Sequence, residues 1–313
     1  MARYDVHPAV ARILSVEGNR DLLDTLVDLP GSDFRSFMLE VAARRAEVVE
    51  PTQLVHQYTT DRFVAPGEVD PVRLAGLEAM ALESVEHEFE PIQLSPLVPA
   101  GIHRSIGGIS QDSVVTTVRS TEVAADPTTA LALEAARRRI AMSVEERRVP
   151  IQLAGISRVT RGQKFDGPRS FSHFSILGVA TAGRAQASLD FEVDALVHHV
   201  ATMAQVVERW GVDGVEALIS DFADGDVSVA EVVVERLNSA GVTAEIDDER
   251  TAGRGYYDNL CFKLHAVDGG QKIEFGDGGV VDWTQQLLAD RKERFVASGI
   301  GLDRLAMFGM TDD

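Results

Sequence analysis

Apolar positions change period near residue 90. Residues 34–50, "FRSFMLEVAARRAEVVE", put Phe34, Phe37, Met38, Val41 and Ala42 on one stripe at helical spacing, and Pro51 stops it. With the preceding "AVARILSVEGNRDLLDTLVDLP" this predicts a helical N-terminal segment. A looser "TTDRFVAPGEVDP" leads into a second amphipathic helix near residues 71–88. Beyond residue 90, short apolar runs such as "PIQLSPLV" and "SVVTTV" read as strands.

In "ADPTTALALEAARRR", Asp126 suits an N-cap and Pro127 the first helical position, and the arginine run 137–139 complements the dipole at the helix C-terminus. "VPIQLAGISRVT" and "SFSHFSILGVATAG" read as a hairpin with a long basic tip, "RGQKFDGPR". Over residues 190–211, Val193, Leu196, Val197, Val200, Ala204, Val207 and Trp210 share one helical face, and Gly211 follows as a stop. "VEALISDF" predicts a strand. "SVAEVVVERLNSAG" predicts a helix with Ser228 and Glu231 as a capping box. Two strands follow, "NLCFKLHA" and "QKIEFG", then a short helix around "DWTQQLLADRKER" and the stretch "SGIGLDRL". Strands in runs with irregularly interspersed helices predict an α+β domain with a mostly antiparallel sheet. There is no internal repeat.

Composition narrows the function. The chain has 313 residues, 45% hydrophobic and 25% charged, which suits a folded protein with ample core. Its 30 Lys+Arg against 49 Asp+Glu give a net charge of -19, which opposes extended contact with a nucleic-acid backbone. Cys261 is the only cysteine, so neither an intrachain disulfide nor a thiolate metal cluster forms. "MARYDVHPAVARILSVEGNRD" carries charges throughout, so neither a secretory leader nor a membrane anchor is expected, and a cytoplasmic protein fits best.

"SGIGLDRL" is the most informative stretch. It is no dinucleotide fingerprint, because Arg304 holds the place of the third glycine. Two readings stand: Gly299 and Gly301 let a helix pack closely on a sheet, or they carry Arg304 toward a phosphate. The stretch resembles motif 3 of the class II aminoacyl-tRNA synthetases, and "ISRVTRGQKFDGPRSFSHFSILGVATAG" resembles their motif 2, a hairpin whose loop folds over ATP. "SPLVPAG" places Pro96 where motif 1, the dimer-forming element, has its proline. "VRSTEVAADPT" stands near a substrate-sensing segment, while "RGYYDNLCFKL" and "GDGGVVDWTQQLL" are similar to two segments of the histidyl-tRNA synthetases. The resemblance covers roughly residues 75–310, closest to the histidyl enzymes and the histidyl-synthetase-like regulatory subunits.

The resemblance implies a class II synthetase-type antiparallel sheet of about six strands flanked by helices (residues 71–313), behind a helical N-terminal extension (residues 1–70). It also implies an isologous homodimer with Pro96 near the shared surface. By the same resemblance Arg158 would hold the α-phosphate of ATP and Arg304 the γ-phosphate. Phe174 would stack on adenine, with Gly299 and Gly301 beneath. Arg161, Lys164 and Arg169 would supply the loop's contacts to the triphosphate. Fixed guanidinium groups in a water-poor pocket stabilise the charge that develops as pyrophosphate leaves. Taken singly, Phe174 also reads as core and the arginines as solvated surface; the joint spacing favours the nucleotide reading for Arg158 and Arg304.

Departures from the pattern shape the substrate. Thr160, Ile176, Ala180, Val280 and Ala252 stand where the histidyl enzymes carry polar or charged groups, so histidine is not expected to bind. A pocket holding Ile176 and Ala180 suits a more apolar or differently shaped ligand. Glu122 or Asp126 remains to bind an ammonium group. Tyr256 and Tyr257 line the pocket in one reading; in the other Tyr256 is core or dimer packing. Too few residues separate "LISDF" from "RGYYDN" for an insertion domain and only nine follow Arg304, so tRNA is not an expected partner. The histidines form no metal signature. Mg²⁺ is expected to arrive with ATP, Glu274 and Asp282 being the carboxylates offered to it.

Three functions follow in order. The first is adenylation of an amino acid or related carboxylic acid, with acyl transfer to a small molecule, a carrier protein or a protein amine. The second is a catalytically silent regulatory subunit that binds a ligand and a partner enzyme. The third is an acyl or phosphoryl transferase that reuses the fold without adenylation.

Overall fold

A computed structural model describes residues 6–163, 171–223, 229–268 and 270–308. Four helices come first: α1 (Pro8–Leu14), α2 (Leu22–Asp28), α3 (Gly31–Glu47) and α4 (Pro51–Thr60). Pro51 does not merely stop α3. It occupies the first position of α4, behind an N-terminal capping box from Glu50 and Gln53. None of the four helices buries a residue, and Phe34 and Phe37 of the apolar stripe are 39% and 46% exposed.

The core begins with α5 (Pro71–Val85), capped by Asp70, which accepts from the Val72 and Arg73 amides. There follow β1 (Glu90–Pro91), β2 (Leu97–Pro99), α6 (Ile102–Ser105), β3 (Thr121–Val123), α7 (Pro127–Ala141), β4 (Ile151–Thr160), β5 (His173–Arg184) and α8 (Asp190–Arg209). The chain closes with β6 (Glu216–Asp221), α9 (Val229–Ser239), β7 (Thr243–Ile246), β8 (Leu260–Asp268), β9 (Gln271–Val281), α10 (Trp283–Leu288), β10 (Glu293–Gly301) and α11 (Leu302–Ala306). Asp126 and Pro127 take the expected cap and first-turn places of α7. The helix expected around residues 282–294 ends at Leu288, because Glu293 already pairs with Arg184 in the sheet. "SVVTTV" contributes only the isolated bridges Val114–Arg161 and Thr116–Glu122. Ser228 lies outside the described residues.

Among the described residues the main sheet has eight strands, not about six, in the order β1-β4-β5-β10-β9-β8-β6-β7. The additions are a two-residue edge and a four-residue edge, both parallel to their neighbours; every other pair is antiparallel. A separate hairpin joins β2 to β3.

Strand alternation sorts the core into two layers. Ala154, Leu177, Val179, Val296 and Ile300 pack under α5, α8, α9 and α11. Leu153, Ile176, Ala180, Ala297 and Phe295 face α7 and α10. In the first layer His199 is fully buried, sharing hydrogen bonds of 2.8 Å with the Thr181 and Ser298 hydroxyls. Burial, then the neighbouring His198, push its pKa down to about 3. The folded state therefore prefers the neutral ring. Its contribution is complete above the unfolded value near 6.5 and is lost as pH falls toward 3. Between pH 6.5 and pH 5 it is expected to cost about 2 kcal/mol at 1.36 kcal/mol per unit. Urea midpoints at pH 7 and pH 5 check this, with His199→Gln giving the shallower pH dependence.

Candidate active site

At the end of the sheet where β10 runs into α11, the α7-facing side opens into a cavity of about 490 Å³. Its floor is Ile176, Ala297, Gly299 and Gly276, and its walls include Asp126, Arg161, Phe174, Tyr256, Tyr257, Glu274 and Arg304. Close approach explains two glycines. A Cβ on Gly276 would stand 2.2 Å from the Gly299 carbonyl oxygen, and one on Gly299 would crowd Ile176 at 3.1 Å.

Most of the residues singled out in the sequence meet here. Phe174 lies under the Arg161 guanidinium, 5.3 Å from the ring centroid. Arg161 donates from Nε to the Ala125 carbonyl at 2.9 Å and stands 3.6 Å from Asp126, whose other oxygen caps α7 through the Thr128 amide at 2.8 Å. Arg304 donates from Nη1 to the Glu274 carbonyl at 2.6 Å, which ties its guanidinium to the cavity edge. Tyr256 meets Tyr257 and Trp283 edge-on, at centroid distances of 4.8 and 6.0 Å. Tyr257 donates its hydroxyl to Asp277 at 2.9 Å. Burial, then neighbouring carboxylates, raise the pKa of both phenols, so they remain protonated donors at neutral pH.

Arg158 does not join them. The β4–β5 register pairs Ser157 with Ile176, Arg158 with Ser175 and Val159 with Phe174, so Arg158 projects from the opposite face to Ile176 and Phe174. There it donates to His173 Nδ1 at 2.8 and 3.2 Å and stands 3.6 Å from Asp303. His173 passes its other ring N–H to the Ala65 carbonyl at 2.7 Å. The expected convergence of Arg158 and Arg304 on one ligand is therefore not seen: a one-residue difference in strand parity carries Arg158 to the far face.

Other expected residues are also placed elsewhere. Glu122 is fully buried, and its carboxylate is spent on the Gly101 and His103 amides and the Gln111 side chain, at 2.9, 3.3 and 2.9 Å. Ala180 lies deeper in the core than the cavity floor. Lys164 and Arg169 lie outside the described residues. Asp282 starts α10 and accepts from Gln286, roughly 25 Å along β9 from Glu274 at the strand rise. Glu274 is taken by Lys263 at 2.7 Å. The two carboxylates offered to Mg²⁺ are therefore not assembled, and among the described residues no three His, Cys, Asp or Glu side chains converge. Cys261 is buried and its thiol is pushed up to about 11, chiefly by burial, so it is no nucleophile.

Two arginines outside the expected set complete the picture. Arg250 forms part of the cavity wall. Arg62, in the segment before α5, donates to the Gly162 carbonyl, to the Gln163 carbonyl at 3.3 Å and to the Ser172 hydroxyl at 3.0 Å. These bonds hold both ends of the β4–β5 connection. The position of "DRF" in a polar linker gave no hint of that contact.

The fold and this cavity define a protein of class II aminoacyl-tRNA synthetase architecture: an antiparallel sheet flanked by helices, open at one end above a glycine-bearing strand-to-helix turn. The chain is similar to apo histidyl-tRNA synthetase from S. aureus, with a TM-score of 0.60 at 16% identity over 77% of this chain and 68% of that one. It is similar to an ATP phosphoribosyltransferase regulatory subunit/histidyl-tRNA synthetase from Bacillus halodurans, with a TM-score of 0.59 at 15% identity over 79% and 83%. A histidine–tRNA ligase subunit from Alicyclobacillus acidocaldarius gives a TM-score of 0.58 at 15% identity over 79% of this chain and 96% of that one. No family model and no curated protein matches the sequence. No helix among the described residues is long and apolar enough to cross a membrane.

Proposed function

We propose that this protein activates a small carboxylic acid or amino acid, other than histidine, by adenylation and hands the acyl group to an acceptor other than tRNA. The observation that carries the reading is the cavity end where Arg161 lies over Phe174 and Arg304 is anchored at the motif 3 turn. Phe174 offers a ring face to adenine, and the two guanidinium groups offer planar donors to phosphate oxygens. In the reaction a carboxylate oxygen of the acid attacks the α-phosphorus, and the bond from that phosphorus to the bridging oxygen breaks. Pyrophosphate leaves with the electron pair. Arg161 and Arg304 stabilise charge on the transferring group, and Asp126 holds Arg161 in place. Among the described residues the carboxylates assemble no Mg²⁺ site, and no step is assigned to the metal. A homodimer using the Pro96 region, acting in the cytoplasm, is part of the same proposal.

ATP–pyrophosphate exchange over a panel of acids tests it. Exchange with a non-histidine acid is expected; none with any acid, from a protein that binds ATP, overturns it. Arg62→Ala is expected to raise the KM for ATP about threefold to tenfold with kcat changed by less than about twofold, because the variant loosens the loop without touching the reacting atoms. Steady-state exchange against ATP concentration reads this.

One observation favours a second reading, a silent regulatory subunit: Arg158 faces away from the cavity. Recovery of a stable partner enzyme together with an absence of exchange would decide for it.

A further inference from the structure

Arg250 is a buried cation with one distant carboxylate beside it and no hydrogen bond to it. Its side chain is 4% exposed and forms part of the cavity wall beside Tyr257. Nε donates to the Ala252 carbonyl at 2.8 Å, the guanidinium lies 5.6 Å from the Tyr257 ring centroid, and Nη1 is buried with no hydrogen-bond partner. The one carboxylate found within 4.0 Å among the described residues is Asp277, at 4.0 Å from Nη2, which is beyond hydrogen-bond reach. Asp277 already accepts the Tyr257 hydroxyl; it lines the cavity and about half of its side chain is exposed.

A guanidinium does not shed its charge by deprotonation. Buried arginines are accordingly paired in folded proteins, because an unpaired buried charge is strongly unfavourable. The cavity wall thus holds a guanidinium that no carboxylate among the described residues hydrogen-bonds. An anion bound there is distinct from the carboxylate that reacts. The reacting group must lie against the nucleotide, at the Phe174 and Arg304 end. Asp277, the neighbour of Arg250, stands three residues along β9 from Glu274, whose carbonyl anchors Arg304; at the strand rise this is roughly 10 Å. Only the far end of an acid bound beside the nucleotide reaches that distance.

Resting on the adenylation reading, we propose that Arg250 binds a second anionic group of the substrate, so that the acid taken by this cavity is a dicarboxylate or a comparable di-anion. A carboxylate there accepts from Nη2, since Nε is held by the Ala252 carbonyl and Nη1 is fully buried, with Ile176, Ala297 and the tyrosine rings around the chain between the two acid groups.

The test compares glutarate with pentanoate, and glutamate with norvaline, in ATP–pyrophosphate exchange. The wild-type protein is expected to prefer the di-acid of each pair by at least about 100-fold in kcat/KM, the scale on which unpaired polar groups in a site discriminate. Arg250→Met and Arg250→Gln are expected to collapse that ratio toward one, the glutamine variant keeping a donor for the Ala252 carbonyl. Equal use of mono- and di-acids by the wild type, or an unchanged ratio in both variants, overturns the proposal. Thermal melting with each acid and a non-hydrolysable ATP analogue supplies a readout without turnover. Stabilisation of the wild type by glutarate but not pentanoate, absent in both variants, supports the anion site even where no acid undergoes exchange, in which case the adenylation reading alone has failed. Exchange with mono-acids and no selective stabilisation by glutarate sinks the anion site and leaves adenylation standing.

Discussion

Arg304→Ala is expected to lower kcat/KM for ATP–pyrophosphate exchange by about 10²–10³, the scale seen when one fixed donor to developing charge is removed. Arg158→Ala is expected to lower it by less than about tenfold, on the scale of a partly exposed ion pair. Arg304 reaches the cavity from α11, and its bond to the Glu274 carbonyl leaves its other guanidinium nitrogens for a ligand. Arg158 lies across the sheet with His173 and Asp303, and it reaches the cavity through Asp303, which accepts the Ser175 amide at 2.6 Å. Both variants measured at saturating and limiting ATP give the contrast. Comparable losses would mean that β4 changes its register when nucleotide binds.

That contrast also marks how far the sequence reaches. Periodicity reveals the β4–β5 hairpin, and turn chemistry reveals the Asp126–Pro127 start of α7. Motif spacing brings Phe174, Arg161, Gly299 and Arg304 to one cavity. Strand parity is harder to read, since a slip of one residue moves a side chain to the other face. "SRVTR" holds arginines at both parities, and only cross-strand pairing decides between Arg158 and Arg161. Glu122 illustrates a second limit: a carboxylate in a plausible segment is consumed by local amides whose approach depends on the β2–β3 hairpin and α6. Arg250 sits in "DDERTAGRGYY", which reads as a polar turn, and its burial arises from distant β8 and β9. The one local clue was an arginine two residues before Ala252, where the histidyl pattern has its own. The stripe on α3 shows the converse. Helical spacing is legible there, but what covers the stripe is not encoded in spacing.

Arg139→Met is expected to destabilise the fold by about 3–5 kcal/mol, the cost of leaving one partner of a buried ion pair without the other. Arg139 and Glu293 are both fully buried. The guanidinium grips the carboxylate through two nitrogens and spends a further N–H on the Arg147 carbonyl at 3.2 Å. Without Arg139, Glu293 keeps Arg184 alone among the described residues, at 3.1 Å, and that side chain is shared with Asp290. Glu293 opens β10 where α7, β5 and β10 meet, so the uncompensated charge weakens the strand that carries Gly299 and Gly301 toward Arg304. Arg139→Met combined with Glu293→Leu is expected to recover most of the loss, because both desolvated charges vanish together and apolar volume replaces them. Denaturant midpoints of the two single variants and the double variant separate the cases. Recovery identifies the pair as a desolvated liability held by mutual neutralisation. A double variant as unstable as either single would show instead that the guanidinium's bond to Arg147, which joins the end of α7 to the segment before β4, matters more than the charge it balances.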